Sequence, residues 1–175
     1  MKTLLDAGQI TEAINQLAEN IIADIPSGVE FALVGIRSRG EILANRLAEI
    51  LSRKLETEVD CGTLDITLYR DDINDPHSDY QPTVRSTEID FDINDRIIFL
   101  IDDVLYTGRS TRAALDALVD LGRPKAIRLA VLVDRLGREY PIQADYVAVK
   151  TQEDPSSKVC VNFIETDQKD KVIVE

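Results

Sequence analysis

One segment, IIFLIDDVLYTGRST at residues 97–111, constrains the fold of this chain more than any other. Residues 96–101 are the most apolar strand candidate. Beyond the TGRST turn, three leucines at helical spacing indicate a helix that Gly122 and Pro124 end. A strand that runs through an acidic pair into a tight turn and a helix is typical of an α/β protein, with polar residues at the carboxyl end of the strand.

The rest of the chain continues this alternation. The other predicted elements are a helix at 10–25, a strand at 31–36, a helix after residue 40, strands at 63–69 and 127–133, and short strands at 145–150, 159–164 and 171–175. Because right-handed crossovers join strands that alternate with helices, the pattern predicts an α/β fold with a mainly parallel central sheet flanked by helices. We expect the three closing strands to form a small appendage.

Length and composition favour a single domain. The chain has 175 residues, of which 44% are hydrophobic, enough for one substantial core. It has no leader-like segment and no apolar run near the roughly 20 residues of a membrane span, so we expect a soluble, cytoplasmic protein that binds no membrane. Cys61 and Cys160 are too isolated to indicate a disulfide framework or a zinc site.

Asp102 and Asp103 stand where ligands bind in an open α/β sheet. Two adjacent carboxylates need partners when buried, and ribose hydroxyls or a hydrated Mg²⁺ would supply them. In the turn at 107–111, the glycine admits a ligand close to the backbone, and a helix starting near Ser110 favours a phosphate. An acidic pair alone would also fit helix-capping or phospho-acceptor acids of a receiver-like domain. The combination with the strand and the turn favours a phosphoribosyl group.

Two further segments are expected to bring arginines to the carboxyl edge of the sheet, where Asp102 and Asp103 lie. The turn Arg37-Ser38-Arg39-Gly40 follows a predicted strand and would direct two guanidinium groups to a ligand, with solvated surface arginines as the alternative. Residues 70–86 are polar and longer than most structureless connections. A lid over the ligand and a disordered surface hairpin would both have this composition.

The segment IIFLIDDVLYTGRST resembles the motif that binds phosphoribosyl pyrophosphate (PRPP) in type I phosphoribosyltransferases, and its DDVLYTGR core resembles the PyrR family specifically. Further matches are VGIRSRG at 34–40, DITLYRDD at 65–72, DALVDLGRP at 116–124 and LAVLVDR at 129–135. PyrR proteins are pyrimidine-operon attenuators with uracil phosphoribosyltransferase activity. The resemblance therefore implies the type I phosphoribosyltransferase fold, with a core over about 1–133 and a small C-terminal hood over about 134–175. It also implies Mg²⁺-dependent formation of UMP and pyrophosphate from uracil and PRPP.

The resemblance also assigns roles to individual residues. The residues that would bind the ribose and 5′-phosphate of PRPP are Asp102, Asp103, Val104, Tyr106, Thr107, Gly108, Arg109, Ser110 and Thr111. Those that would bind the pyrophosphate are Arg37, Ser38, Arg39, Gly40 and Arg70. Those that would bind the base are Val133, Asp134, Arg135 and Arg138. Asp102, Asp103 and Arg70 would be the catalytic residues, and the two aspartates would hold Mg²⁺ through water and PRPP.

Two segments depart from the family pattern. Leu136-Gly137 stands where the family usually has Gly-His, and AVKTQED at 148–154 stands where it usually has Gly-Lys-Asn with Pro-Thr-Ser. Both lie in the part expected to cover the base. A phosphoribosyltransferase for another base, and a regulator that senses nucleotides through the same site, therefore stay open as alternatives to the uracil enzyme.

The charge pattern argues against RNA binding. The net charge is −12, and over residues 1–30 Lys2 is the only basic side chain beside five acidic ones. Regulatory family members grip RNA with a basic surface formed partly by the first helix, so an acidic helix would repel the phosphate backbone. We align Asn15, Glu19 and Asp24 with polar or basic RNA-contacting residues of the family. Gln143 and Val149 replace basic ones, while Arg138 remains basic. RNA is thus an unlikely partner, whereas a homo-oligomer, a dimer or higher, is expected.

Overall fold

The computed structural model describes residues 2–71 and 83–175 of the chain. The elements in these ranges are β1 (Lys2–Leu5), α1 (Ala7–Asp24), β2 (Phe31–Ile36), α2 (Arg39–Leu55), β3 (Cys61–Leu64), a 3-10 turn (Thr67–Tyr69), β4 (Ile97–Leu105), α3 (Arg109–Leu121), β5 (Ala126–Arg135), β6 (Tyr146–Thr151), β7 (Val159–Asn162), α4 (Ile164–Asp167) and β8 (Lys171–Val174). None of the helices described is both long and apolar enough to cross a bilayer.

The central sheet has five parallel strands in the order β3-β2-β4-β5-β6. β4 lies in the middle, and its side chains alternate between two cores. Phe99 and Ile101 face α1 and α2, whereas Ile98 and Leu100 face α3. This alternation follows from the two-residue period of a strand and explains why β4 is apolar from Ile97 to Ile101, where both of its faces are covered. The predicted α/β fold with a mainly parallel sheet flanked by helices is confirmed.

The strand predicted at 63–69 is shorter and ends in a turn. β3 stops at Leu64, and the Asp65 carboxylate accepts hydrogen bonds from the backbone N–H and hydroxyl of Thr67 and from the backbone N–H of Arg85. These bonds fold the chain into the 3-10 turn, because a short acidic side chain competes with strand pairing for nearby donors. Leu68, which continued the apparent alternation, is 67% exposed.

The three closing strands do not form one appendage, so that prediction was wrong for β6. β6 pairs in parallel with β5 and becomes the edge of the central sheet, where the Tyr146 ring packs 5.9 Å from that of Phe99. β7 and β8 instead form a small antiparallel sheet with β1, in the order β1-β8-β7. β1 was not predicted, because four residues at the chain start carry too little pattern. Most of the predicted lid, residues 72–82, lies outside the described residues.

Candidate active site

The carboxyl ends of β2, β3 and β4 surround a cavity of about 290 Å³. Its lining combines three segments that are far apart in the sequence: Ile36, Arg37, Ser38 and Arg39; Asp65, Ile66, Thr67 and Arg70; and Asp102, Asp103, Val104 and Ser110. The parallel sheet causes this convergence, since the strands all end on the same side. The acidic pair and the arginine turn are therefore neighbours across one cavity.

Two glycines fix the arginine turn against the acidic pair. A Cβ on Gly40 would lie 2.6 Å from the Ile101 carbonyl oxygen and 3.1 Å from the Asp102 Cα, so only hydrogen fits there. A Cβ on Gly35 would lie 2.6 Å from the Cα of Glu41. The start of α2 thus packs directly on the end of β4. The peptide bond between Arg37 and Ser38, in the turn itself, is cis.

Asp102 is buried at the end of β4, and Asp103 is partly buried beside it. Asp102 is 8% exposed, and its Oδ1 accepts a hydrogen bond of 2.9 Å from the backbone N–H of Asp103. Burial, reinforced by the neighbouring charge of Asp103, raises the pKa of Asp102 well above its usual range. Burial also raises the pKa of Asp103, although the guanidinium of Arg39 opposes that shift. A ligand that supplies hydroxyl donors or positive charge would relieve both carboxylates.

The arginines of the turn are engaged in different ways. Arg37 donates to the Ser86 carbonyl at 2.9 Å and forms ion pairs with Glu88 at 2.9 Å and Glu41 at 3.3 Å. Because carboxylates already bind the Arg37 guanidinium, the backbone of the turn is more available to bind a ligand than this side chain is. Arg39 lies on the cavity beside Asp103, as the sequence suggested.

The predicted phosphate loop lies beside a second cavity, of about 410 Å³, lined by Arg70, Asp71, Thr107, Arg109 and Ser110. Gly108 has a φ of +90°, a conformation that favours glycine, and α3 begins at the next residue. The N-terminus of α3 therefore faces the space where a phosphate would bind. Thr111, the last residue of the predicted phosphate loop, is buried, at 3% exposure.

Arg109 lines this cavity, but its guanidinium is bound by neighbouring side chains. It pairs with Glu139 at 2.6 Å and with Asp71, and its guanidinium lies 5.4 Å from the centre of the Tyr140 ring. Arg70 lines both cavities and so lies between them. The predicted phosphate and pyrophosphate residues are therefore brought to adjoining spaces, with Arg109 tied to its protein neighbours.

The residues predicted to bind the base divide into two groups. Asp134, Arg135 and Arg138 line a third cavity, of about 310 Å³, and Asp134 forms an ion pair with Arg138. Val133, in contrast, is fully buried in the core under α1 and α2. Arg135 is 6% exposed, stacks 4.2 Å from the centre of the Tyr106 ring, and donates to three backbone carbonyls at 154, 155 and 157. Its contacts are those of a residue that holds the loop after β6.

We expect Arg135→Lys to lower the free energy of unfolding by about 1–3 kcal/mol, because one ammonium cannot reach three carbonyls and leaves buried acceptors unpaired. Urea denaturation measures the loss. Arg128→Lys is the control, since Arg128 is exposed and should change stability by less than about 0.5 kcal/mol. Retained stability together with weaker base binding in Arg135→Lys would instead support direct contact with the base.

Sequence reasoning gave no role to Asp65 and Thr67, although both line the cavity beside the acidic pair. Burial opposes ionisation of Asp65, but hydrogen bonds from Thr67 and Arg85 outweigh it and lower the pKa of this carboxyl. Asp65 therefore stays charged and holds the loop that follows β3. The available signal was the motif DITLYRDD, which begins at this residue.

Comparison with known proteins agrees with this geometry. The phosphoribosyl transferase domain family matches residues 1–167. The "Bifunctional protein PyrR" of Alkaliphilus metalliredigens is 49% identical over 98% of this chain and 93% of its own length, and that of Bacillus subtilis is 46% identical over 98% and 94%.

Solved structures agree on the fold. The hypoxanthine phosphoribosyltransferase of Trypanosoma cruzi superposes with a TM-score of 0.71 at 19% identity, covering 99% of this chain and 95% of that one. A hypoxanthine-guanine phosphoribosyltransferase of Bacillus anthracis gives 0.66 at 20% identity, covering 88% and 85%. At these identities the likeness concerns the fold. The family match and the close relatives together show that this chain is a phosphoribosyltransferase and belongs to the PyrR family.

Proposed function

We propose that this enzyme transfers the phosphoribosyl group of PRPP to uracil, giving UMP and pyrophosphate. The observation that carries the proposal is the pair of buried Asp102 and partly buried Asp103 on a cavity shared with the Arg37–Gly40 turn and the start of α3. Within residues 2–71 and 83–175 no cationic side chain is bonded to these adjacent carboxylates, so their burial is costly, and the hydroxyls of a ribose would satisfy them. The N-terminus of α3 and the arginine turn lie on either side, as a sugar with a phosphate at each end requires.

PRPP would span the two adjoining cavities. Its ribose hydroxyls would bond to the acidic pair, and its 5′-phosphate would accept hydrogen bonds from the backbone and hydroxyls of residues 107–111. Its pyrophosphate would lie against the turn at 37–40, near Arg70. In this arrangement the sugar is held at both ends, which fixes C1′ for attack.

The acidic pair also fits Mg²⁺. No group of three or more His, Cys, Asp or Glu side chains suited to a metal occurs among the described residues. Two carboxylates do not fill the octahedral shell of Mg²⁺, so PRPP oxygens and water would complete it. When bound there, the ion would neutralise charge that develops on the departing pyrophosphate.

The chain itself would act by binding and orientation. The C1′–oxygen bond to pyrophosphate breaks while a ring nitrogen of uracil bonds to C1′ from the opposite face, and the proton of that nitrogen passes to the departing pyrophosphate. The step needs no covalent nucleophile from the protein. Arg39, Arg70 and the backbone of the turn would stabilise the leaving group. Asp134 and Arg138, on the third cavity, are the proposed contacts of the base.

We expect uracil to be the preferred substrate when PRPP, Mg²⁺ and a panel of free pyrimidine and purine bases are assayed, with nucleotide and pyrophosphate as products. The expectation rests on the PyrR family membership and on the third cavity, where Asp134 and Arg138 would bond to the base and Arg138 also donates to the Tyr106 carbonyl, one residue before the 107–111 loop. Turnover of another base at a higher kcat/KM would reassign the substrate. PRPP binding without turnover of any base would favour a nucleotide-sensing regulator.

The relatives are named "Bifunctional protein PyrR", which supports a second candidate, a regulatory role. For this chain we expect RNA binding to be weak. The α1 surface that would meet the phosphates carries Glu19, paired with Lys54 at 3.0 Å, and Asp24, which accepts from the Tyr146 hydroxyl at 3.1 Å. Filter binding to pyrimidine-operon leader RNA at moderate salt tests this expectation. Submicromolar binding enhanced by UMP would contradict it.

A further inference from the structure

Two ion-pair clusters join α2 to the segment around α4. In the first, Asp167 binds Arg39, which is the first residue of α2 and lines the cavity at the acidic pair. In the second, Asp170 and Glu165 bind Arg46, two turns further along α2. Both clusters pair an arginine of α2 with acidic residues in or near α4. Only the first includes a residue that lines the cavity at the acidic pair.

The guanidinium of Arg39 is only partly used in hydrogen bonds to the described residues. One terminal nitrogen donates to Asp167 Oδ1 at 2.9 Å, while Nε is buried and has no hydrogen-bond partner among the described residues. A guanidinium carries five N–H donors in a rigid plane, and an oxyanion can take two of them at once. Arg39 therefore lies beside Asp103 with its Nε donor unpaired, on the cavity where a pyrophosphate would be bound.

Asp167 is itself immobilised. Its other oxygen, Oδ2, accepts from the backbone N–H of Phe163 at 3.0 Å and from the Thr166 hydroxyl at 2.9 Å. The backbone N–H of Asp167 donates to the Phe163 carbonyl at 2.7 Å. The carboxylate thus has a fixed direction before any ligand arrives. Because Asp167 in turn holds Arg39, the long side chain of Arg39 loses less conformational entropy when a ligand binds to it.

We propose that Asp167 is a positioning residue that orients Arg39 toward the pyrophosphate of PRPP. The inference rests on the proposed PRPP site and extends it to a residue outside the cavity lining. Arg39 and Asp167 are 37% and 22% exposed, so the pair contributes little to stability by itself. Its effect is expected in the affinity for pyrophosphate.

Asp170 provides a matched control. It also binds an arginine of α2, at 2.7 Å, and also accepts from a backbone N–H at the start of α4, that of Ile164 at 2.8 Å. Its pair with Arg46 is more buried, at 16% and 19% exposure. Losing that pair should therefore cost more stability than losing the pair of Asp167 with Arg39, and should leave the cavity unchanged.

The experiment compares wild type, Asp167→Asn, Asp167→Glu and Asp170→Asn by calorimetry with Mg²⁺ and three probes: PRPP, pyrophosphate and ribose 5-phosphate. We expect Asp167→Asn to weaken PRPP and pyrophosphate about tenfold, the size of one lost charge-assisted contact, and to leave ribose 5-phosphate unchanged. Asp167→Glu should restore part of the affinity because it keeps the charge. Asp170→Asn should lower the melting temperature more and leave all three affinities unchanged.

Several outcomes would overturn the proposal: equal pyrophosphate affinity in Asp167→Asn and Asp170→Asn, equal losses for all three probes, or tighter PRPP binding by Asp167→Asn. If Asp167→Asn does not fold, Asp167→Ser replaces it, since that variant also lacks the charge and wild-type pyrophosphate affinity in it would count against the proposal. Failure of the wild type to bind PRPP would instead contradict the proposed function, so the two failures are distinguishable.

Discussion

Replacing both Asp102 and Asp103 with asparagine is expected to slow PRPP turnover by roughly 10²–10³-fold, the usual size of losing charges aimed at the reacting group. At the same time the free protein should become more stable to heat. Asp102 is buried, Asp103 is partly buried, and desolvation raises the pKa of both carboxyls, so the folded chain disfavours their ionised forms. Asparagine keeps the shape and removes the charge. A gain of about 1 kcal/mol corresponds to a melting temperature higher by about 2–4 °C.

The stability gain should depend on pH in a defined direction. A carboxyl whose folded-state pKa lies above its unfolded value of about 3.9 binds more protons in the folded chain, so stability falls as pH rises through that window. The difference between the double variant and wild type should therefore be largest near neutral pH and shrink toward about pH 4. Calorimetric melting at a series of pH values, without PRPP or Mg²⁺, measures it.

Asp116→Asn is the control for this pair of effects. Asp116 is an exposed acid on α3 that pairs with Arg112 in the same helix, so its loss should change stability by less than about 0.5 kcal/mol and leave turnover intact. Unchanged PRPP affinity in the Asp102 and Asp103 double variant would remove the acidic pair from the ligand site. A lower melting temperature would show that the pair stabilises the free chain.

Replacing Gly40 with alanine should damage both the fold and the site. The added methyl group would lie 2.6 Å from the Ile101 carbonyl oxygen, closer than such contacts occur, and that atom is backbone. The start of α2 must then move off the end of β4, at a cost of about 1–3 kcal/mol. Because the same contact holds the 37–40 turn beside Asp102, PRPP affinity should fall with stability.

Gly8→Ala is the matched control, since Gly8 is the second residue of α1 as Gly40 is of α2. A Cβ on Gly8 would meet its nearest neighbour at an ordinary 3.5 Å, and alanine favours a helix by up to about 1 kcal/mol. We expect Gly8→Ala to be neutral or stabilising in urea denaturation, with unchanged PRPP binding. Equal behaviour of the two variants would mean that the turn tolerates a side chain and that its fit against β4 is unimportant.

The central sheet could be predicted because its signals are local. The apolar run of β4 and the helical spacings around it determine the strand and helix types, and residue order then places Asp102 and the Gly108 turn at the carboxyl edge. Packing between distant segments had no such signal. Nothing in the sequence of β6 distinguishes an edge strand of the central sheet from a strand of the small one, and β1 is recognised only through its pairing with β8.

Individual contacts of the site were harder to predict than its location. The arginines of IRSRG and TGRST were both predicted as ligand-binding groups, yet Arg37 pairs with Glu41 and Glu88 while Arg109 pairs with Glu139. Which carboxylate reaches an arginine depends on loops that are remote in sequence. For the same reason the contact of Asp167 with Arg39, across 128 residues of sequence, leaves no pattern that a single sequence reveals.

A crystal structure of this chain with PRPP and Mg²⁺ tests the central claim most directly. We predict that the ribose hydroxyls will bond to Asp102 and Asp103, with the 5′-phosphate at the start of α3 and the pyrophosphate on the Arg37–Gly40 turn beside Arg39. PRPP bound away from the carboxyl end of β4, or an acidic pair with no contact to the sugar or its metal ion, would contradict the account.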